Sequence, residues 1–363
     1  RGDRPDGSRY PHYRIALSPD AQLLFLGMGD GTLFRWDVPA KKELPPLRTQ
    51  HSDIANIHCT ADKQTLITTG RDGLIRRWHP ITGATLAEPE GYASRSHAAL
   101  SADGRLVDAG DARGRLDLWD ANTGKVIRNL RKEGPTVRKL AFAPTNVTFA
   151  VAQEDRVIAL WGIAAGPTGK ALAIPKAKDE RWGSFWVQSM RFSPDARHLY
   201  VCPMYRPIRY DLATGKTDAR GTSGDFALSE DGSSLATAYG AHLTVWDETT
   251  GKMRFAADLK GGSDRLGYPI AVAFSPNGRL IAAGMRDGNI ALLDANSGAE
   301  LRSFFAVALR IFPRFFPERD PYHVTALQFS SDGRWLIAGA NDARVRLCEV
   351  ATAKKLAEFD GHD

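Results

Sequence analysis

The chain has 363 residues, 43% of them hydrophobic and 25% charged, with a formal net charge of +6 and a pI near 9.2. It is longer than one ordinary globular domain, yet no apolar run is long enough to span a membrane. The mild basicity is spread along the chain, so it permits an acidic partner without demanding nucleic acid.

Read in order, the chain repeats itself. A Phe-Ser-Pro-Asp-Gly motif, or a worn version of it, starts at Leu17, Cys59, Leu100, Phe142, Phe192, Leu228, Phe274 and Phe329. The steps are 42, 41, 42, 50, 36, 46 and 55 residues. A period of about 40 to 45 marks a four-stranded propeller blade. The last unit shows the pattern: an alternating run Thr325–Phe329, a turn cluster, an apolar run Trp335–Gly339, a second turn, Arg344–Cys348, and finally Lys355–Phe359. That spacing predicts four antiparallel strands. The third strands end at Trp36-Asp37, Trp78-His79, Trp119-Asp120, Trp161-Gly162, Tyr210-Asp211, Trp246-Asp247, Leu293-Asp294 and Cys348-Glu349. A large flat ring at one fixed position suits packing between adjacent sheets.

Period, turn and Trp-Asp step together resemble the WD40 repeat family over nearly the whole chain, in the form found on larger bacterial proteins. The fold class expected is all-β: one β-propeller over 1–363 with eight blades, seven being the alternative. In that family a His, a Ser or Thr, an Asp and the Trp often form a hydrogen-bonded tetrad. His51, Thr68, Asp72 and Trp78 match it in full, and Asp30, Asp155, Asp287 and Asp342 repeat its Asp alone. A buried imidazole and carboxylate that satisfy each other stabilise a turn, so the tetrad is read as structural and not catalytic.

Thr-Gly-Lys at Thr123, Thr168, Thr214 and Thr250 lacks the full phosphate-loop pattern. It is expected to form the hairpin turn between third and fourth strands, with Gly in the left-handed position. Cys59, Cys202 and Cys348 share no metal or disulfide spacing. No metal and no cofactor is implied, and a reducing, cytoplasmic setting is favoured. The start, Arg1 to Gly7, has no signal-peptide character, so the chain reads as an excised or processed domain. Asp360 to Asp363 reads like the opening of another repeat, which leaves ring closure open.

Two insertions break the rhythm, near 170–186 and 302–323. The second carries Phe312, Arg314, Phe315 and Phe316, which form either a satellite core or an exposed aromatic-basic patch. The turns between second and third strands open on the same face and include Met28, Arg71, Arg113, Tyr205, Arg206, Arg286 and Asn341. A rim of guanidinium groups can take carboxylates. The resemblance implies a monomeric, non-catalytic scaffold for a protein or peptide, possessing no membrane or nucleic-acid role. Two alternatives are a regulatory or sensor domain of a larger protein, such as one fused to a kinase, and a propeller enzyme. A quinone-dependent dehydrogenase would place Trp where Arg128, Ala219 and Phe255 stand.

Overall fold

The computed structural model describes residues 14–40, 42–51, 53–60, 62–70, 72, 74–86, 97–101, 103–175, 187–203, 207–219, 226–239, 242–259, 269–285, 287–305, 324–340, 342 and 344–360. Every regular element among them is a strand, and the strands form eight antiparallel sheets. Blade 1 runs from Arg14–Leu17 to Lys42–Arg48, blade 3 from His97–Leu100 to Val126–Arg131, and blade 4 from Val137–Phe142 to Gly166–Ala173. Blade 5 runs from Val187–Phe192 to Thr217–Ala219, and blade 6 from Phe226–Leu228 to Lys252–Asp258. Blade 7 runs from Pro269–Phe274 to Glu300–Phe305, and blade 8 from Val324–Phe329 to Lys354–Asp360. Each has four strands in meander order. Blade 2 pairs Ile54–Cys59, Leu66–Gly70 and Ile75–Trp78. At its fourth-strand position Trp78 bridges Thr85, and the Leu86 N–H donates to the Arg77 carbonyl at 2.9 Å. The fold is an eight-bladed β-propeller. Two compact units divide it: Ala16–Arg220, and Gly221–Asp363 with the described part of Arg1–Ile15.

One polar device explains why the Ser-Pro-Asp turn recurs. In blade 1 the Ser18 hydroxyl donates to Asp20 Oδ1 at 2.6 Å and accepts the Leu23 N–H at 2.9 Å. The same pairing closes Thr60–Asp62, Ser101–Asp103, Ser193–Asp195, Ser229–Asp231, Ser275–Asn277 and Ser330–Asp332. A short polar side chain thus replaces water on the turn's backbone. Blade 4 has Ala143 in this place and keeps two backbone bonds, Ala143 N–H to the Thr148 carbonyl at 2.9 Å and Asn146 N–H to the Ala143 carbonyl at 3.0 Å.

Second and third strands are buried on both faces, as their apolar runs require. Leu23–Gly27 and Leu66–Gly70 are buried throughout. Adjacent blades share cores: Phe25 and Leu33 of blade 1 pack with Ile54, Leu66 and Trp78 of blade 2. Each such buried aliphatic or aromatic side chain contributes about 1.5–3 kcal/mol. Fourth strands are mostly exposed and would present a free edge to another chain. Blades 1, 3, 4, 6, 7 and 8 break that edge with a register shift between third and fourth strands. Such bulges discourage edge-to-edge pairing.

Three of the four Thr-Gly-Lys copies form the hairpin turn. Oδ1 of Asp120, Asp211 and Asp247 accepts the N–H of Thr123, Thr214 and Thr250 at 2.7, 2.7 and 2.8 Å. Gly124, Gly215 and Gly251 follow at φ 70°, 73° and 71°, where a Cβ is strained. The copy at Thr168 differs. It lies inside the strand Gly166–Ala173, and the turn falls earlier, at residues 163–165. That is the place the turn takes in blades 3, 5 and 6, two to four residues past the anchor, and Thr-Gly-Lys here falls three residues beyond it, with Gly162 where those blades hold the turn-fixing Asp. This strand takes residues 170–173 out of the first expected insertion, and residues 302–305 belong to the strand Glu300–Phe305. The remaining insertion residues 176–186 and 306–323 lie outside the described residues.

Candidate functional site

Blade 2 holds a complete polar relay. The Thr49 hydroxyl and N–H both donate to the Gly31 carbonyl, at 2.6 and 3.0 Å. Thr49 Oγ1 in turn accepts the His51 N–H at 3.3 Å, which sets the approach of the imidazole. His51 Nδ1 lies 2.9 Å from Asp72 Oδ1, and His51 Nε2 lies 3.0 Å from Thr68 Oγ1. Trp78 Nε1–H donates to Thr68 Oγ1 at 2.9 Å. Trp78 donates to Thr68, and the Nδ1 edge of His51 faces both Asp72 and Arg76 Nη1, the latter 2.7 Å away, so its proton depends on the tautomer. Burial lowers the His51 pKa, and the pull of Asp72 only partly offsets it. Burial alone would raise Asp72, but the Leu74 N–H, His51 and Arg76 outweigh it and hold the carboxyl below its usual range. Gly70 makes room for the relay, since a Cβ there would stand 2.3 Å from His51 Nδ1.

The His51 side chain is 0% exposed, so a substrate from solvent does not reach the imidazole. Blade 8 keeps the Asp without the His: the buried Arg346 pairs with Asp342 and with Glu358. Blade 6 has a second relay-type threonine that residue counting misses. Thr237 pairs with Thr244 as Thr68 pairs with Arg76, because the blade 6 turn is one residue shorter. Its hydroxyl donates to the Thr244 carbonyl at 3.4 Å.

A second repeated device, unread in the sequence, joins neighbouring blades within each unit. A long cationic side chain crosses the seam and donates to carbonyls in the next blade's turn between third and fourth strands. Arg35 reaches the Pro80 and Ile81 carbonyls, both at 2.9 Å, and also Pro45 in its own blade at 2.6 Å. Arg77 reaches Ala121 and Asn122, Arg128 reaches Ile163 and Ala164, and Lys170 reaches Leu212 and Ala213. Arg302 reaches Val350 at 3.2 Å. Arg35 and Arg77 stand one residue before the third-strand anchor; Arg128, Lys170 and Arg302 stand nine after it. Phe255 holds that last position in blade 6 and packs on Gly298 of the next blade's turn. Replacing the fully buried Arg35 by Met leaves three carbonyls without their donor. We expect a loss of about 2–4 kcal/mol in urea unfolding; an unaltered midpoint would show that the clasp contributes nothing.

Blade 3 contains an anomaly. Asp108 is 0% exposed, and neither carboxylate oxygen has a hydrogen-bond partner among the described residues. It lies opposite Ala99 and Leu118 in register. Burial, and then the nearby Asp117, push its pKa well above the usual carboxylate range. The cysteines offer no reactive counterpart, because burial raises the Cys59 and Cys348 thiols to about 12.

Of the residues expected to meet a partner, Arg71, Tyr205, Arg206, Arg286, Phe312, Arg314, Phe315 and Phe316 lie outside the described residues, as does Asn341. Met28 is buried and therefore adds nothing to a rim. Arg113 is exposed, and its guanidinium has no hydrogen-bond partner among the described residues. It lines a polar cleft of about 370 Å³ with Arg115, Lys132, Asp111 and Asp117. Asp111 Oδ1 accepts the Arg113 and Arg115 N–H groups at 2.9 Å, and Asp117 Oδ1 accepts Asn129 Nδ2 at 2.7 Å. Arg115 Nε lies 3.8 Å from Asp117 Oδ2, so Arg113 is the cleft guanidinium left facing solvent among the described residues. Among the described residues no group of three or more His, Cys, Asp or Glu is placed to hold a metal ion.

These blades define a repeat β-propeller whose relay, turn pairs and seam clasps bond within the chain. The sequence pattern described as "WD domain, G-beta repeat" matches residues 265–294 and 316–349. Those two stretches resemble WD40 repeats, and they fall in blades 7 and 8 of the propeller. It is similar to Autophagy-related protein 16 of Arabidopsis thaliana, 25% identical over 40% of this chain and 30% of that one. It is also similar to Periodic tryptophan protein 2 of the same plant, 25% identical over 51% of this chain and 20% of that one. Protein hir1 of Schizosaccharomyces pombe is 21% identical over 53% of this chain and 24% of its own. The chain spans less than a third of the length of each of these relatives. In structure it resembles the computationally designed Ika8 protein, with a TM-score of 0.71 and 21% identity over 95% of this chain and 98% of that one. Proteins built on WD40 repeats are typically protein-interaction scaffolds.

Proposed function

We propose that the chain is a non-catalytic scaffold that binds a protein or peptide partner carrying acidic residues. The observation that supports this best is how the polar groups divide. The turn Ser–Asp pairs, the relay of His51 and the seam clasps are engaged inside the chain. The turns between second and third strands differ from blade to blade, and the described rim cation Arg113 is free to meet a partner. A guanidinium in that setting suits a carboxylate. The similarity to WD40-bearing relatives supports the same reading.

The test is partner capture followed by measured affinity, with the full chain and a triple variant R71E, R113E and R286E of equal melting temperature. The expected result is a partner bound by the parent protein and weakened about tenfold or more in the variant, with a steep salt dependence. Equal affinity in both proteins would remove the rim from the reading. Turnover of the captured molecule would overturn the non-catalytic assignment.

A further inference from the structure

The seam between blades 7 and 8 is open where the seam between blades 2 and 3 is closed. The closed seam leaves only about 10 Å³ between Ile67, Ile75 and Arg77 on one side and Trp119, Asp120 and Ala121 on the other. Strand register identifies the equivalent positions. Trp119 pairs with Val107 as Cys348 pairs with Leu336, and Arg77 pairs with Ile67 as Leu292 pairs with Ala282. The open seam therefore has Cys348 for an indole, Leu292 for an arginine and Ala282 for an isoleucine. A cleft of about 270 Å³ lies at this seam, with Leu292 in the place of Arg77, and is lined also by Leu280, Leu301, Val350, Arg302 and Arg334. Leu292 is 2% exposed at its floor, and Leu301 is 53% exposed at its mouth. Among the described residues Arg302 spans this seam with a single hydrogen bond, to the Val350 carbonyl, where the other clasps make two across theirs.

We propose that this slot receives one aromatic side chain of a partner peptide, flanked there by acidic residues. The proposal rests on the scaffold reading and names a second contact for it. The chain's own seams indicate the shape. An indole fills the seam of blades 2 and 3, and the Phe255 ring presses on Gly298 between blades 6 and 7. Charge indicates the flanks. Two arginines border the slot against one carboxylate, Glu349, and that carboxylate already accepts the Thr352 hydroxyl at 2.5 Å. An aromatic anchor in an apolar pocket with a charged rim is the usual form of a binding hot spot.

The experiment uses the full chain and fluorescein-labelled peptides with one central Trp, flanked either by Glu or by Lys, and a third with Ala for the Trp. Anisotropy should show the Glu-flanked Trp peptide binding about tenfold or more tighter than either of the others. Leu301→Ser, at the exposed mouth, and Arg334→Glu should each weaken it without shifting the melting temperature. Leu292→Arg, which restores the side chain of the closed seam, should abolish it. Unchanged affinity in all three variants would move the contact to another surface and overturn the slot, with the scaffold reading intact. Failure of every peptide to bind would overturn the aromatic-acidic assignment, and the rim experiment would still decide the scaffold reading by itself.

Discussion

Replacing Trp78 by Ala lowers stability by about 3–5 kcal/mol in urea denaturation, the largest single loss expected in blade 2. The indole is 6% exposed and packs with Phe25, Leu33 and Leu66, so truncation opens a cavity in the core that blades 1 and 2 share. It also removes the donor to Thr68. Thr68→Val separates the two effects. It retains the volume but strands Trp78 Nε1 and His51 Nε2, at a cost of about 1–3 kcal/mol. An unchanged midpoint for Trp78→Ala would sink the placement of the ring. The relay also carries a pH signature. The folded pKa of His51 lies below its ordinary 6.5, so the stability it contributes is present above that value. It is lost as pH falls through the folded value, because the unfolded chain binds the proton first. His51→Gln, which removes the titrating group, should flatten that acid-side slope.

The sequence carried the fold because the propeller is written locally. Each Ser-x-Asp turn is closed by neighbours two and five residues apart, as at Ser18, Asp20 and Leu23, and a motif at that range survives wear. The relay was legible for the same reason: its four residues fall at fixed spacing within one repeat and the preceding link. The clasps were hidden because they act between repeats. Arg35 and Pro80 are 45 residues apart, and nothing near Arg35 distinguishes it from a solvated arginine. Counting nine residues past the anchor puts Arg128, Lys170, Ala219, Phe255 and Arg302 at one place, but says nothing of the carbonyls that three of them meet in the next blade. Thr237 escaped because a shortened turn shifts it by one against the count. The partner-facing residues are of a third kind. A rim arginine such as Arg113 obeys no packing rule, so composition can nominate it but only its surroundings can rank it.

Asp108→Val should raise stability by about 1–3 kcal/mol at neutral pH, an unusual sign for a change inside a core. Register places Phe25, Ile67, Ala150, Tyr200, Ala236, Ala282 and Ile337 at the same position in the other blades, all buried. Blade 3 alone puts a carboxyl there, with no hydrogen-bond partner on either oxygen among the described residues. Its face, through Ala99 and Leu116, packs on Phe149 and Val151 of blade 4. The sign with pH follows from the raised folded pKa. Below the ordinary value of 3.8 the group is neutral in both states and carries no penalty. As pH rises, the unfolded chain ionises first, and the folded state falls behind until its own pKa is passed. The parent protein should therefore lose stability between mildly acid and neutral pH relative to Asp108→Val, and the gap between the two urea midpoints should widen over that range. A gap that stays constant with pH would mean that Asp108 is ionised and paired in solution. A destabilised variant would mean that its carboxyl holds blades 3 and 4 together, and either result would reverse its assignment as an isolated buried acid.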